Sequence, residues 1–370
     1  MILIKLFLQN FRNFSNIKLD FIEGVNIITG MNAQGKTSIL ESIYYLLLTK
    51  SFKTSNDYSA INDASDFFNI RGKFRSLKGE DLNIRLYLSG NEGKHVFHND
   101  KEISKFSDII GKIPCVILTL DDIKLTFGGP SERRKYLNIL LSQTSPVYLN
   151  DLKIYRNIVK QRNSLLLNSE VNNIKSQIEG WNKQLIDFGV RIIKKRQQFV
   201  DFLNSKIHEY YTYIANKEEN ISIYYKSTIA TDLAIRNDDE LKNIYEKKLH
   251  ASFNYEYERK MTVIGPHRDD LIFRNGLKHF KEYCSQGENK TLIIVLKLLE
   301  WEYISKYTDM KPLLLLDDIF GELDKIRMKG LLKFINSVGQ AFITTTLDDK
   351  FSFFNSVKRY RIENQKIYDA

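Results

Sequence analysis

The rhythm of apolar positions changes twice along the chain. Residues 2–8 form an apolar, β-prone stretch, and residues 25–29 read as a short buried strand running into a glycine. Over residues 37–48, Ile39, Leu40, Ile43 and Leu47 recur at helical spacing. Residues 67–75, 82–88 and 94–98, with polar glycine-containing breaks between them, predict an antiparallel meander, and residues 113–118 another buried strand. Between residues 131 and about 216 there are one proline and two glycines, and helical periodicity takes over. Tyr148, Leu152, Tyr155 and Val159 follow one face; Ile174, Ile178, Trp181, Leu185, Phe188 and Ile192 follow another at near-heptad spacing. This pattern predicts a compact helical lobe whose stripes, Trp181 included, are core. After about Tyr255 strand and turn signals return. A helix over 290–303, a strand at 313–316, a helix near 326–336 and a strand at 341–344 then predict an α/β core. The expected organisation is a sheet-rich segment 1–120, an inserted all-helical lobe 121–250, and a segment 251–370 that completes the first.

Composition narrows the class. A chain of 370 residues favours two folding units, and 43% apolar residues with 23 Phe and 20 Tyr can build substantial cores. Lys and Arg outnumber Asp and Glu by 55 to 45, and the net +10 favours an anionic partner. Cys115 and Cys284 lie far apart without metal-ligand neighbours, which points to a reducing cytosol and against a disulfide framework. The opening residues lack a signal-peptide pattern, and no apolar run approaches the roughly 18 residues of a membrane span, so a soluble, cytoplasmic protein is expected.

Three motifs carry chemistry. Gly30-Met31-Asn32-Ala33-Gln34-Gly35-Lys36-Thr37 is a complete GxxxxGKT between a predicted strand and a predicted helix. Its glycines let backbone N–H groups turn toward phosphates at a helix N-terminus, Lys36 can reach β- and γ-phosphates, and Thr37 can bind Mg²⁺. The run Leu313-Leu314-Leu315-Leu316-Asp317-Asp318 ends a buried strand in two acids: Asp317 is placed to hold Mg²⁺, and Asp318 to orient or deprotonate the attacking water. Third, Ser285-Gln286-Gly287-Glu288 precedes a helix 28 residues before Leu313, and Gly321-Glu322-Leu323-Asp324 follows the acids.

In this order and spacing the motifs resemble the P-loop, Walker B, signature and D-loop of ABC-type ATPases. That resemblance implies that Ser285 and Gly287 face the γ-phosphate of ATP held by a second subunit. Asp318 stands where most ABC ATPases have Glu, and Thr344, Thr345 and Thr346 stand where a histidine is usual; both departures suggest slow turnover.

The match narrows further. Asn10-Phe11-Arg12-Asn13, Gly129-Pro130-Ser131-Glu132-Arg133-Arg134, Gly265-Pro266-His267-Arg268-Asp269-Asp270 and Tyr283-Cys284-Ser285-Gln286-Gly287 are not general ABC features, and with them the chain resembles the RecF family of bacterial recombination mediators from end to end. Glu288-Asn289-Lys290 and Gly321 depart from the usual residues at their positions. The resemblance implies an ATPase head like that of SMC proteins with a helical lobe in place of a long coiled coil, and slow, DNA-stimulated ATP hydrolysis. It also implies an ATP-dependent homodimer, binding to single-stranded, double-stranded and gapped DNA, and cooperation with RecR and RecO in loading RecA, with roles in replication, repair and the SOS response. A transporter's nucleotide-binding subunit would not need the GPSERR and GPHRDD stretches, and an ATP-gated nuclease would need an acidic metal-binding domain downstream.

Some basic positions stay open at this level. Arg133, Arg134 and Lys135, and Arg191, Lys194, Lys195 and Arg196, are either solvated helix faces or DNA-backbone contacts. His267 to Asp270 form either a buried ion-pair turn or a nucleotide or DNA contact, and Arg12 is a cation that could approach the nucleotide.

Overall fold

The computed structural model describes residues 1–168, 171–230, 237–347, 354 and 356–369. In chain order, β1 (Ile2–Phe11), β2 (Phe14–Asp20) and β3 (Gly24–Gly30) lead into α1 (Lys36–Leu48). The meander follows as β4 (Phe67–Arg75), β5 (Asp81–Ser89), β6 (Gly93–His98) and β7 (Lys101–Glu102), and then β8 (Cys115–Thr119). The helical stretch holds α2 (Lys124–Phe127), α3 (Pro130–Thr144), α4 (Pro146–Asn168), α5 (Val171–Ala215), β9 (Ile221–Lys226) and α6 (Asp238–Arg259). The remainder is β10 (Asp270–Asn275), β11 (Lys278–His279), α7 (Phe280–Tyr283), α8 (Gln286–Thr308), β12 (Leu313–Asp317), α9 (Lys325–Ile335), β13 (Gln340–Thr345), β14 (Val357–Glu363) and β15 (Lys366–Asp369). Among the described residues no helix is long and apolar enough to cross a membrane.

The chain divides into two compact units: residues 1–122, 210–217 and 291–370, and residues 123–209 and 218–290. The first unit contains two six-stranded sheets, an antiparallel one ordered β2-β1-β4-β5-β6-β7 and a largely parallel one ordered β15-β14-β3-β13-β12-β8. Helix α1 touches strands of both. That explains why it is apolar nearly all round: Ile39, Leu40, Ile43, Tyr45 and Leu46 point in different directions and are all buried, as expected of a helix covered on both sides. The parallel strands are continuous apolar runs for the same reason; Leu313 to Leu316 and Ala341 to Ile343 are at most 1% exposed.

The second unit is mostly helical, as expected, but not wholly so. A three-stranded antiparallel sheet, β11-β10-β9, belongs to it. Strand β9 alternates buried Ile221, Ile223 and Tyr225 with less buried Ser222, Tyr224 and Lys226. Six residues of period two between long helices are too short to displace a helical reading of the surrounding sequence. The unit also runs on to residue 290, so residues 251–290, expected with the C-terminal segment, share contacts with the helices instead. Of the expected core stripe, Ile174, Ile178, Leu185 and Ile192 are buried, whereas Trp181 and Phe188 are only partly so.

Part of each basic cluster turns inward. Arg196 is 1% exposed and donates to the Pro266 carbonyl (2.6 Å), Asn138 Oδ1 (2.9 Å) and the Tyr148 and Tyr225 hydroxyls (both 3.2 Å). Arg133 is buried on Asp270 through two bonds of 2.6 and 2.9 Å, and Arg134 donates to the Asp269 carbonyl at 3.0 Å. Lys194 pairs with Asp238, and Arg191 lies 3.6 Å from Asp151. Arg133 and Arg196 are thus committed to internal acceptors, because burying a cation demands one, whereas Lys135 and Arg191 remain exposed. The GPSERR and GPHRDD stretches are two halves of one polar network.

His267 sits in that network. Its Nδ1 is 2.7 Å from the Tyr155 hydroxyl and its Nε2 3.0 Å from the Thr262 carbonyl, a pattern that suits the neutral ring with its proton on Nε2. Burial, with Arg268, Arg134 and Arg162 nearby, pushes its pKa down to about 4. The unfolded histidine takes up its proton near 6.5, the folded one only near 4, so its contribution to stability is complete above pH 6.5 and is lost as the pH falls toward 4. Urea midpoints at pH 7 and pH 5 should differ by about 1–2 kcal/mol more in the parent than in His267→Gln; equal pH dependence of the two would exclude this histidine as the source.

Candidate nucleotide site

Strand β3 delivers the chain to Gly30, and α1 begins at Lys36. Between them the backbone enters the left-handed region at Gly30 (φ 148°), Ala33 (φ 64°) and Gly35 (φ 102°). A side chain at Gly30 would place its Cβ 2.6 Å from the Ile362 carbonyl oxygen, and one at Gly35 would lie 2.8 Å from the Phe14 ring. Both positions thus demand glycine for space as well as conformation. The wall against Gly30 is β14, which pairs in parallel with β3 and sets Ile362 opposite Gly30. The Asn364 amide also donates to Gln34 Oε1 at 2.9 Å. The β14–β15 hairpin that buttresses the loop escaped the sequence reading, since only its short alternation of Tyr360 and Ile362 with charged residues signals it.

Lys36 is 6% exposed, and its ammonium group donates to the carbonyls of Gly30 (2.7 Å) and Met31 (3.0 Å). Burial lowers its pKa, opposed by the charges of Asp318 and then Asp317. Thr37 Oγ1 donates to Asp317 Oδ1 at 2.9 Å, joining residues 280 positions apart. Strand order makes this possible: β3 and β12 flank β13, so their C-terminal ends lie together at one edge. Thr344, at the end of β13, donates its hydroxyl to the same Asp317 oxygen at 2.7 Å and accepts the Asp318 amide at 2.9 Å. Burial raises the Asp317 pKa, while the hydrogen bonds from Thr344 and Thr37 oppose that rise. Asp318 adopts φ 50°, a conformation that aspartate tolerates better than most residues, and lines the cavity with Lys36.

That cavity, of about 470 Å³, is lined by Arg12, Asn13, Asn32, Ala33, Gly35 to Ser38, Lys53 and Asp318, within the usual size of a small-molecule site. Arg12 is held by a bidentate pair with Glu41 (2.9 and 2.6 Å) and by the Ser59 carbonyl (2.7 Å). Lys53 is a lining residue that the motifs did not mark. Met31 is 78% exposed at the tip of the loop.

The donor set fits a polyphosphate with Mg²⁺. The left-handed backbone of the loop suits an anion, Lys36 supplies a cation, and the hydroxyl of Thr37 and carboxylate of Asp317 are hard oxygens already in contact. Mg²⁺ commonly takes only one or two protein ligands and fills its octahedron with water and phosphate. The absence of a cluster of three or more acids, His or Cys among the described residues is in keeping with that habit.

Ser285 and Gly287 lie in the second compact unit. The Glu288 amide donates to Ser285 Oγ at 3.2 Å, and the Ser285 amide to Glu288 Oε2 at 2.7 Å, a reciprocal cap at the start of α8. Ser285 is exposed. Its hydroxyl accepts in the cap, which leaves its own proton available to donate.

A strand, a glycine loop and a helix whose threonine meets an acid one strand removed, together with a serine-capped helix downstream, define a P-loop ATPase head of the ABC type. The RecF/RecN/SMC N-terminal domain family matches residues 2–368. The DNA replication and repair protein RecF of Chloroherpeton thalassium is 37% identical over 97% of this chain and 98% of its own length. That of Streptococcus thermophilus is 36% identical over 99% and 98%. The solved recombination mediator protein RecF-ATP of the RecFOR pathway aligns with a TM-score of 0.90 at 30% identity, covering all of this chain and 97% of that one. An SMC head bound to the C-terminal winged-helix domain of ScpA shares the fold alone, at TM-score 0.59 and 14% identity. The chain belongs to the RecF family.

Thr344→Val keeps the shape of the side chain but removes both of its hydrogen bonds in the site. The expected loss is about 1–3 kcal/mol of unfolding free energy, read from denaturant midpoints, with Thr344→Ser close to the parent. Equal stability of all three would show that the hydroxyl does not hold the two acids.

Proposed function

We propose that this chain is a DNA-binding, ATP-dependent recombination mediator that closes as a homodimer around ATP. On this reading it supports RecA loading at single-strand gaps with RecR and RecO, in replication, repair and SOS induction. The observation that carries the reading is the Thr37–Asp317 hydrogen bond, which joins the two motifs at one place. Relatives at 36–37% identity are named DNA replication and repair proteins, and a solved RecF with ATP belongs to the RecFOR pathway.

In this reading the backbone from Gly30 to Thr37, Met31, Asn32, Ala33 and Gln34 included, wraps the phosphates. Lys36 exchanges the Gly30 and Met31 carbonyls for the β- and γ-phosphate oxygens. Thr37 and Asp317 hold Mg²⁺, which, when bound, offsets the charge that develops on the phosphate oxygens in the transition state. Asp318, beside Lys36, orients the attacking water and accepts its proton. The hydroxyl of Ser285 and the backbone at Gly287 complete the site of a second copy, so closure requires two chains. The shorter reach of Asp318 compared with glutamate suits a slow, DNA-stimulated hydrolysis that times a switch.

Light scattering should show a monomer without nucleotide and a dimer with ATP, and Lys36→Ala and Ser285→Arg should each abolish the shift. A dimer indifferent to ATP and to both changes would remove the basis of the reading. The two acids separate in a paired measurement. Asp318→Asn should bind Mg·ATP like the parent but lose roughly 10²-fold or more in turnover and prolong the ATP dimer on DNA. Asp317→Asn should weaken Mg·ATP binding itself. Normal hydrolysis by Asp318→Asn, or unchanged Mg·ATP affinity in Asp317→Asn, reverses the assignment of roles.

A further inference from the structure

With the arginines at 133, 134 and 196 engaged internally, a second basic surface comes into view. The antiparallel sheet of the first unit presents two unlike faces. Leu6, Leu8, Ile70, Leu86 and Val96 point into the core. On the opposite face one transverse row runs across five strands: Lys18 lies opposite Phe7, Phe7 opposite Arg71, Arg71 opposite Arg85, and Arg85 opposite Phe97. At about 4.8 Å per strand the row is roughly 19 Å long. Lys18 and Arg71 are exposed, and Phe7, Arg85 and Phe97 are partly so.

Guanidinium groups lie over aromatic rings along this row. The Arg71 guanidinium lies 5.8 Å from the centre of the Phe7 ring, and that of Arg85 lies 5.0 Å from Phe97 and 5.9 Å from Tyr87. Asn69 fixes Arg85 further by accepting from its Nε at 3.0 Å. Two arginines directly opposite each other on neighbouring strands repel. Of the nearby acids, Asp81 pairs with Lys73 and Arg75, Asp20 with Lys5, and Glu102 with His95. Partial burial and the charge of Arg71 lower the Arg85 pKa, opposed by Tyr87 and Asp100. A phosphate between the two arginines would turn that repulsion into attraction.

We propose that this sheet face is a binding track for single-stranded DNA, with Arg71, Arg85 and Lys18 on phosphates and the Phe7–Arg71 and Arg85–Phe97 stacks under unpaired bases. The inference rests on the reading of the chain as a DNA-binding protein and adds to it the surface that meets the single strand. A single strand is favoured over a duplex by the geometry. Flat guanidinium planes and half-buried rings can receive the face of an unstacked base, but cannot reach a base enclosed in a helix.

The test is fluorescence anisotropy of a labelled oligothymidine 20-mer and of a blunt 20-base-pair duplex, with ATP, between 50 and 200 mM salt. Arg71→Ala/Arg85→Ala should lose about tenfold or more in single-strand affinity, and its log–log salt slope should shrink by about 1.4, the share of two phosphate contacts. Phe97→Leu should lose about fivefold or more with the slope unchanged. Duplex affinity should change less than threefold in both. ATP affinity equal to the parent's verifies the fold, and Arg71→Ala alone, on an exposed side chain, carries the test if the double variant fails that control. Single-strand binding within twofold of the parent in every variant overturns the track while leaving DNA binding intact. An equal loss on the duplex overturns the stacking role. A parent that binds neither DNA removes the underlying reading together with the track.

Discussion

The first unit is organised around one carboxylate oxygen. Asp317 Oδ1 accepts from Thr37 at the start of α1 and from Thr344 at the end of β13. Three segments from distant parts of the sequence are fixed to one another at that point. The order β3-β13-β12 in the parallel sheet exists in part to bring them there. The acid is kept short of water, which raises its pKa, and the two hydroxyls restore part of what burial removes. The carboxylate is held in place and incompletely satisfied.

Much of the site was legible because its chemistry is local. Gly30 to Thr37 announce themselves by spacing, and Asp317 and Asp318 by the apolar run before them. The meander was legible because its breaks are polar and contain glycine. What escaped notice depends on long-range pairing. Strand β14 mixes Tyr360 and Ile362 with charged residues, and only its pairing with β3 makes it a strand of the main sheet. Strand β9 needs β10 beside it. Burial of arginine was equally hidden. Nothing near Arg196 in the sequence shows that Pro266, seventy residues away, offers it a carbonyl.

The stretches that set this chain apart from other ABC heads have a physical meaning of their own. Arg133 with Asp270, and Arg134 with the Asp269 carbonyl, tie the start of α3 to the start of β10. Asp269 in turn accepts from the Tyr225 hydroxyl (2.7 Å) and the Thr228 amide (2.7 Å). These two charged stretches are therefore internal struts of the second unit. A charged motif can record how a domain is held together as readily as what it touches.

The strand that leads into the phosphate loop lies between β13 and β14, which follow it by some three hundred residues. While the chain is being synthesised, β3 and its loop emerge early and must wait, unpaired on both edges, until those later segments appear. Contacts of such sequence separation are slow to form, and the waiting strand is an apolar edge open to wrong partners. The phosphate loop is thus buttressed late: a nascent chain acquires both neighbours of β3 only after β14 has left the ribosome.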